Sequence, residues 1–92
     1  MSRQNITNFQ EIPNVGKAIE VKLNLLGFSK PVELIEKDPY EMYYDLCRIL
    51  NKDCDPCLLD VFISAVRYME GGPSKKWWEF TEERKIKLSG LS

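Results

Sequence analysis

The sequence predicts an all-α protein, and three features of the 92 residues lead to that class. Apolar residues recur at steps of three and four along several segments, which is the spacing of a buried helical face. Two Asp-Pro pairs precede such segments, and this pair is typical of a helix start. No segment alternates apolar and polar residues as a half-buried strand would. We therefore expect a compact bundle of about five helices with no internal repeat.

The first two helices are predicted to enclose a short turn. Thr7 and Gln10 fit a capping box that starts a short helix over about residues 7 to 11. A second helix is predicted over about residues 16 to 26, and Gly27 follows in the position of a C-terminal cap. The buried stripe of this helix consists of Val15, Ile19, Leu23 and Leu26.

A proline marks the start of each later helix. Pro31 fits the first turn of a short third helix. Residues 38–41, Asp-Pro-Tyr-Glu, combine an N-cap, a first-turn proline and a capping glutamate, and residues 55–56, Asp-Pro, repeat that signal. Residues 71–73, Gly-Gly-Pro, end the helix that follows. The tail is expected to add one short helical turn around the Trp pair and to fray after Lys85.

Length and composition indicate one domain over residues 1–92, with residues 1–6 and 86–92 as frayed termini. Apolar residues make up 43% of the chain and charged residues 29%, which matches ordinary globular usage. The start lacks the apolar region of a signal peptide, and no apolar stretch is long enough to span a membrane. We therefore expect a cytoplasmic protein without a membrane partner. The odd number of cysteines, three, fits reduced thiols in that compartment.

The charged residues divide the chain into three parts. The net charge of −1 excludes a global attraction to nucleic acid. Residues 1–31 carry four basic and two acidic side chains, and residues 71–92 carry five basic and three acidic. Residues 32–70 carry four basic and nine acidic side chains. A polyanion is therefore expected to meet the two ends of the chain and to avoid its middle.

Residues 12–17, Ile-Pro-Asn-Val-Gly-Lys, form the candidate binding site and are called the hairpin below. Val15 is expected to plug the space between the two helices, and Gly16 to let the backbone turn sharply. The first amides of the second helix then remain unpaired and, together with the helix dipole, suit a phosphate. Lys17 follows as a positive charge in reach of the same phosphate. The lysines expected near neighbouring phosphates are Lys22 and Lys30.

The hairpin resembles the helix-hairpin-helix family, in which an apolar-Pro-Gly-apolar-Gly turn holds the DNA backbone without reading bases. The resemblance implies that Val15 is the apolar anchor, Gly16 the second glycine and Lys17 the basic residue after it. Asn14 stands in place of the first glycine. Asparagine tolerates a left-handed backbone, although its side chain would crowd a phosphate. The alternative is that the hairpin only connects two helices, as glycine turns commonly do.

Residues 9–85 also resemble the small bacterial pathogenicity-locus family, whose members are sometimes labelled mitomycin-resistance proteins. What this resemblance implies is little more than the same helix-hairpin-helix, so it bears on the fold more than on the activity. The segments that carry the resemblance are residues 12–17, 26–28, 38–41, 46–47, 57 and 76–78.

Cys54 and Cys57 have the spacing of a zinc or redox pair, and Cys47 precedes them near the end of a predicted helix. A structural zinc site needs four ligands, yet the chain has no histidine. Thioredoxin-type chemistry needs a strand-helix unit that this sequence does not predict. We therefore expect Cys47 and Cys57 to be small buried core residues, with no metal and no cofactor.

Basic and aromatic residues stand together near the C-terminus, at Lys75, Lys76, Trp77 and Trp78. This mixture is typical of single-strand binders, whose rings stack on bases, and of anchors for a partner protein. The alternative is a clasp that closes the helical core. One Trp would then dock on the core, because adjacent helical residues point about 100° apart.

Catalytic residues are not expected in this chain. Without histidine the commonest general base is missing, and no Ser or Cys nucleophile has a base supplied by the sequence. Asp53, Asp55 and Asp60 are interpreted as two helix caps and a solvated position. The expected function is weak, sequence-independent DNA binding, as an accessory in DNA repair or maintenance. The rival interpretation is a protein-interaction adaptor that uses the bundle and an exposed Trp.

Overall fold

The computed structural model describes residues 2–72, 74 and 76–88, with the backbone alone for residues 77 and 88. This part of the chain contains helices and no strand, so the prediction of an all-α fold is confirmed. The five expected helices are replaced by four α-helices and three 3-10 helices. The α-helices are α1 (Lys17–Leu25), α2 (Pro39–Leu50), α3 (Pro56–Met69) and α4 (Thr81–Leu88). The 3-10 helices are Phe9–Glu11, Pro31–Leu34 and Trp77–Phe80.

Helix α3 forms the centre of the fold. Ten of its fourteen residues are buried, because its sequence is apolar on nearly every side. Helices α2 and α4 and the 3-10 helices Pro31–Leu34 and Trp77–Phe80 all pack against it. Asp55 caps the start of α3 by accepting a hydrogen bond from the amide of Cys57, which confirms the cap predicted there.

Helix α2 begins where its sequence predicts. The side chain of Asp38 accepts a hydrogen bond from the amide of Tyr40, and Pro39 fills the first helical position. At the other end Asn51 adopts a left-handed conformation with φ of 54°, which asparagine tolerates better than most residues. The buried face of α2 consists of Met42, Tyr43 and Leu46.

The first helix differs from the prediction in its length and in its cap. Only a 3-10 turn forms, and Asn8 caps it instead of Thr7, with its side-chain oxygen accepting from the amide of Gln10 at 2.9 Å. Glu11 completes the capping box by accepting from the amide of Asn8 at 3.0 Å. Two apolar side chains three positions apart lie on one face of this 3-10 turn. The residues buried in this way are Phe9 and Ile12.

Helix α1 is held to the core by few side chains. Leu23 is buried, whereas Ile19 and Leu26 are partly buried and pack at the edge of the core. Gly27 has φ of 96° and ends the helix, and the amide of Phe28 donates to the carbonyl of Leu23 at 3.1 Å. The C-terminal cap predicted at Gly27 is therefore confirmed.

Arg3 fixes the N-terminal segment, where the sequence predicted fraying. Its amide donates to the carbonyl of Met69 at 2.8 Å, and its guanidinium donates to the carbonyls of Tyr68 and Gly72 at 2.9 and 2.8 Å. The guanidinium carbon also lies 4.1 Å from the centre of the Tyr68 ring. Arg3 therefore stabilises the C-terminal end of α3, where a positive charge is favoured by the helix dipole.

A buried ion pair joins α4 to α3. Asp60 is 0% exposed, and the Nε of Arg84 donates to one of its carboxylate oxygens at 2.8 Å. The hydroxyl of Thr81 donates to the other oxygen at 2.7 Å. Asp60, one of the three acids interpreted as two helix caps and a solvated position, is neither, because it lies inside α3 and the C-terminal part of the chain covers it. The hydrogen bonds that Arg84 makes with Asp60 raise the pKa of the Arg84 guanidinium, which therefore stays charged.

The C-terminal segment is longer and better anchored than the single turn that was predicted. After the 3-10 helix Trp77–Phe80, the chain continues as α4 beyond Lys85 as far as residue 88. Phe80 is 6% exposed and is the aromatic side chain that packs into the core here. In the described residues Phe80 and Arg84 therefore anchor this segment to the core, whereas the clasp considered from the sequence had a Trp in that place: Trp78 is exposed, and the side chain of Trp77 lies outside the described residues.

Candidate functional site

The hairpin turns at Asn14. Asn14 has φ of 71°, in the left-handed region where the helix-hairpin-helix pattern has its first glycine. On either side of it, Ile12 and Val15 are 1% and 5% exposed, and the amide of Val15 donates to the carbonyl of Ile12 at 3.1 Å. Val15 is therefore buried, as the proposed role of an apolar anchor requires.

The side chain of Asn14 points into the protein. Its Nδ2 donates to the hydroxyl of Ser64 at 3.1 Å, and Ser64 is 3% exposed in the middle of α3. Because this amide group is occupied inside the fold, it does not crowd the solvent side of the turn as the sequence suggested. The contact also ties the geometry of the hairpin to the central helix.

Gly16 has an extended backbone, with φ of −99° and ψ of −170°. The expectation that Gly16 makes the sharp turn is wrong, because the left-handed position is taken by Asn14 two residues earlier. A Cβ added at Gly16 would meet no atom within 4 Å. Since neither the backbone nor the packing requires glycine here, the space beside Gly16 is open to a bound group.

The start of α1 lies open beside Gly16. Gly16 is the N-cap residue and makes no side-chain capping hydrogen bond, and Lys17 and Ala18 are both exposed. The carboxylate of Glu20 accepts a hydrogen bond from the side-chain amide of Gln10, in the 3-10 helix Phe9–Glu11, at 2.8 Å. The first amides of α1 and the positive end of its dipole are therefore accessible to an anion.

The three lysines assigned to phosphates lie in different surroundings. Lys17 is exposed in the first turn of α1. Lys22 lies five residues further along the helix, which is a rotation of about 140°, and it is half-buried. Lys30 is exposed just before the 3-10 helix Pro31–Leu34. Of these three, Lys17 is the lysine that the helix places at the open amides.

An open cavity of about 650 Å³ lies between α1 and the segment that connects α2 to α3, and we call it the α1 groove. Lys22 lines it together with Lys52, Asp53 and Asp55. Its apolar walls consist of Ile19, Val21, Leu25, Leu50, Leu58 and Val61. This groove was not predicted from the sequence, because only the buried stripe of α1 was assigned there and Val21 and Leu25 lie outside that stripe.

All three cysteines are half-buried, which corrects the expectation that Cys47 and Cys57 are buried core residues. Cys54 and Cys57 line the α1 groove, and partial burial raises the pKa of both thiols. The thiolate forms are therefore disfavoured at neutral pH. Among the described residues, no group of three or more histidine, cysteine or acidic side chains is placed to hold a metal ion.

Tyr43 connects α2 to the segment before α3, because its hydroxyl donates to the carbonyl of Cys54. Burial raises the pKa of Tyr43 to about 12. The unfolded phenol ionises near its ordinary pKa of 10, so between these values the native state binds more protons than the unfolded state. The stability contributed by Tyr43 is therefore present below pH 10 and is lost as the pH rises toward about 12.

We expect Tyr43→Phe to lower the free energy of unfolding by about 1 kcal/mol at neutral pH, through loss of this hydrogen bond. The difference from the parent protein should shrink as the pH rises from 10 toward 12 in urea unfolding experiments. Tyr44→Phe is the matched control, because Tyr44 is 55% exposed. A difference that stays constant over this pH range would contradict the assignment.

The C-terminal aromatic segment presents Trp78 at the surface, with 56% of the residue exposed. Lys76 is also exposed. The prediction that Lys75 and the side chain of Trp77 belong to a stacking or partner surface lies outside the described residues. Trp78 and Lys76 therefore remain candidates for contact with a partner.

The chain matches the family model described as pathogenicity locus (Cdd1) over residues 2–86. It belongs to that family. A similar curated protein is the mitomycin resistance protein McrB of Streptomyces lavendulae, which is 33% identical over 90 residues. That alignment covers 98% of this chain and 86% of the relative. No solved structure matches the chain.

No helix in the described ranges is long and apolar enough to cross a membrane.

Three charged residues have a structural role in the fold that was not predicted from the sequence. They are Arg3, Asp60 and Arg84. The signal for Asp60 was its place inside the apolar stretch of residues 57–66, since a buried carboxylate requires a partner.

Proposed function

We propose that this protein binds the phosphate backbone of DNA through its hairpin, without reading base sequence and without catalysing a reaction. The observation that carries the proposal is the open start of α1, where Gly16 leaves the helix uncapped and a Cβ would have no neighbour within 4 Å. Such a start offers amide donors and a positive dipole end to an anion. A phosphate is the anion that DNA presents.

Each residue of the hairpin has a separate part in this proposal. Asn14 makes the turn, and buried Val15 fixes that turn to the core. Gly16 leaves room for a phosphate oxygen to approach the amides of α1. Lys17 adds a positive charge at the same place. We assign Lys22 and Lys30 as contacts to neighbouring phosphates.

The binding is expected to be weak and sensitive to salt. One hairpin that neutralises about one to three phosphates gives a salt slope of about −1 to −3 on logarithmic axes. The net charge of −1 adds no general attraction. This proposal includes the helix-hairpin-helix assignment, with the 3-10 helix Phe9–Glu11 in the place of its first helix.

The biological setting is part of the same proposal. The relative from Streptomyces lavendulae is named for mitomycin resistance, and for this chain we propose an accessory role in DNA repair or maintenance in the cytoplasm. Family membership supports a shared fold more directly than a shared activity. The test of the proposal is therefore made on the hairpin itself.

An amide chemical-shift titration with short duplex DNA at low salt tests where contact occurs. We expect shifts to concentrate at residues 13–18 and to disappear as salt is added. Gly16→Asp should remove them, because its carboxylate caps the first amides and occupies the phosphate position. The same change should leave the free energy of unfolding unchanged or raise it by about 0.5 kcal/mol, since aspartate is a better N-cap than glycine. Shifts confined to residues 39–70, or none at all, would refute the proposal.

A protein-interaction adaptor is the second candidate, and the exposure of Trp78 favours it. Exposed aromatic residues are enriched at the centres of protein interfaces. Ile86 on α4 is a second exposed apolar side chain in the C-terminal part of the chain, at 57%. A titration that gives no hairpin shifts with DNA would make this surface the one to test with partner proteins.

A further inference from the structure

The α1 groove leaves apolar side chains in contact with solvent. Val21 and Leu25, one turn apart on α1, are 52% and 48% exposed and form one lip of the groove. Leu50, Leu58 and Val61 line it from α2 and α3. Exposed aliphatic side chains that adjoin an apolar cavity in this way are typical of an interaction surface.

The lip of the groove indicates the size of its occupant. A small molecule held inside a cavity of about 650 Å³ would leave the outward surfaces of Val21 and Leu25 in water. A macromolecule that lies across the groove covers both the cavity and the lip. The surface therefore fits a protein better than a small ligand.

Charged side chains of both signs border the groove. Lys22 and Lys52 are positive, and Asp53 and Asp55 are negative. A strongly acidic or basic partner would meet like charges on such a border. A second copy of the same chain presents the same four charges, and a two-fold axis can place Lys52 of one copy against the aspartates of the other, which leaves Lys22 to its proposed phosphate contact.

We propose that two copies of this chain associate through the α1 groove, with Val21 and Leu25 of each copy covered by the other. The net charge of −1 means that two copies repel each other little. This dimer is inferred from the groove alone and does not depend on the proposed function. If the dimer and the DNA-binding proposal both hold, one dimer carries two hairpins. Once one hairpin holds a phosphate, the other binds DNA at a raised effective concentration, so the dimer binds DNA more tightly than the monomer does.

Sedimentation velocity without DNA tests the dimer. We expect the average mass of the parent protein to rise from monomer toward dimer as its concentration increases toward about 0.5 mM, since weak specific association falls in this range. Val21→Glu and Leu25→Lys should each raise the dissociation constant at least about tenfold, because each places a charge in the apolar contact. Both positions are exposed, so circular dichroism should show an unchanged fold.

Ile49→Lys is the matched control, because Ile49 is 51% exposed near the end of α2 and does not line the groove. This variant should dimerise like the parent protein. A parent protein that stays monomeric overturns the proposal, and so does a dimer that neither groove variant weakens. The DNA titration repeated on Val21→Glu reports on the hairpin separately, since residues 13–18 should still respond in the monomer.

Discussion

Asp60→Ala is expected to lower the free energy of unfolding by about 3–5 kcal/mol, because it leaves a largely buried cation without its partner. Asp60 is 0% exposed and the Arg84 side chain is 13% exposed, so water cannot replace the lost interaction efficiently. The substitution also removes the acceptor of the Thr81 hydroxyl. Urea unfolding followed by circular dichroism measures the loss.

Two comparisons separate this buried pair from ordinary surface charge. Arg84→Met should also be destabilising, and the double variant should lose less than the sum of the two single losses by about 0.5–3 kcal/mol. Arg48→Ala should change stability by less than about 0.5 kcal/mol, since the Arg48–Asp45 pair is 77% and 50% exposed. Strictly additive losses at Asp60 and Arg84 would argue against a coupled pair.

Lys17→Glu is expected to weaken DNA binding at least tenfold at low salt, which corresponds to about 1.4 kcal/mol. The substitution removes a cation and places a carboxylate where the phosphate should lie. Stability should change by no more than about 0.5 kcal/mol, because Lys17 is exposed and an acid in the first helical turn is favoured by the dipole. Fluorescence anisotropy with labelled duplex DNA and a thermal melt measure the two effects.

Lys37→Glu is the control for Lys17→Glu. Lys37 is exposed and lies outside the hairpin. Replacing it with Glu changes the net charge of the protein by the same amount as Lys17→Glu does. Binding by this variant should remain within about twofold of the parent protein. Equal losses in both variants would indicate a general charge effect, and unchanged binding by a folded Lys17→Glu protein would move the assignment to the adaptor surface.

Local signals made the longer helices predictable. The caps at Asp38 and Asp55 are made by side chains two residues from the amides they hold, so short sequence motifs contain the whole interaction. The start of the first helix was harder to predict, because Thr7 and Asn8 are both good N-cap residues and a helix capped by one starts a single residue away from a helix capped by the other. In the structure Asn8 is the cap and Glu11 completes its capping box, a choice that the sequence pattern alone did not make.

Contacts between distant residues explain what the sequence did not predict. Asp60 and Arg84 are 24 residues apart, and no local pattern pairs them. At the hairpin, Asn14 was expected in the position of the first glycine and has the left-handed backbone of that position, whereas Gly16 was also expected to turn sharply and instead has an extended backbone. The inward contact of Asn14 with Ser64, 50 residues away, is what frees the outer side of the turn.

The position of Arg3 determines how much of the chain is needed for one folded unit. Its three hydrogen bonds close the C-terminal end of α3, the helix on which α2, α4 and two of the 3-10 helices pack. A shortened form that begins after Arg3 would lose all three bonds and the contact with the Tyr68 ring. The minimal folding unit therefore includes this N-terminal segment, although the segment itself has no helix or strand.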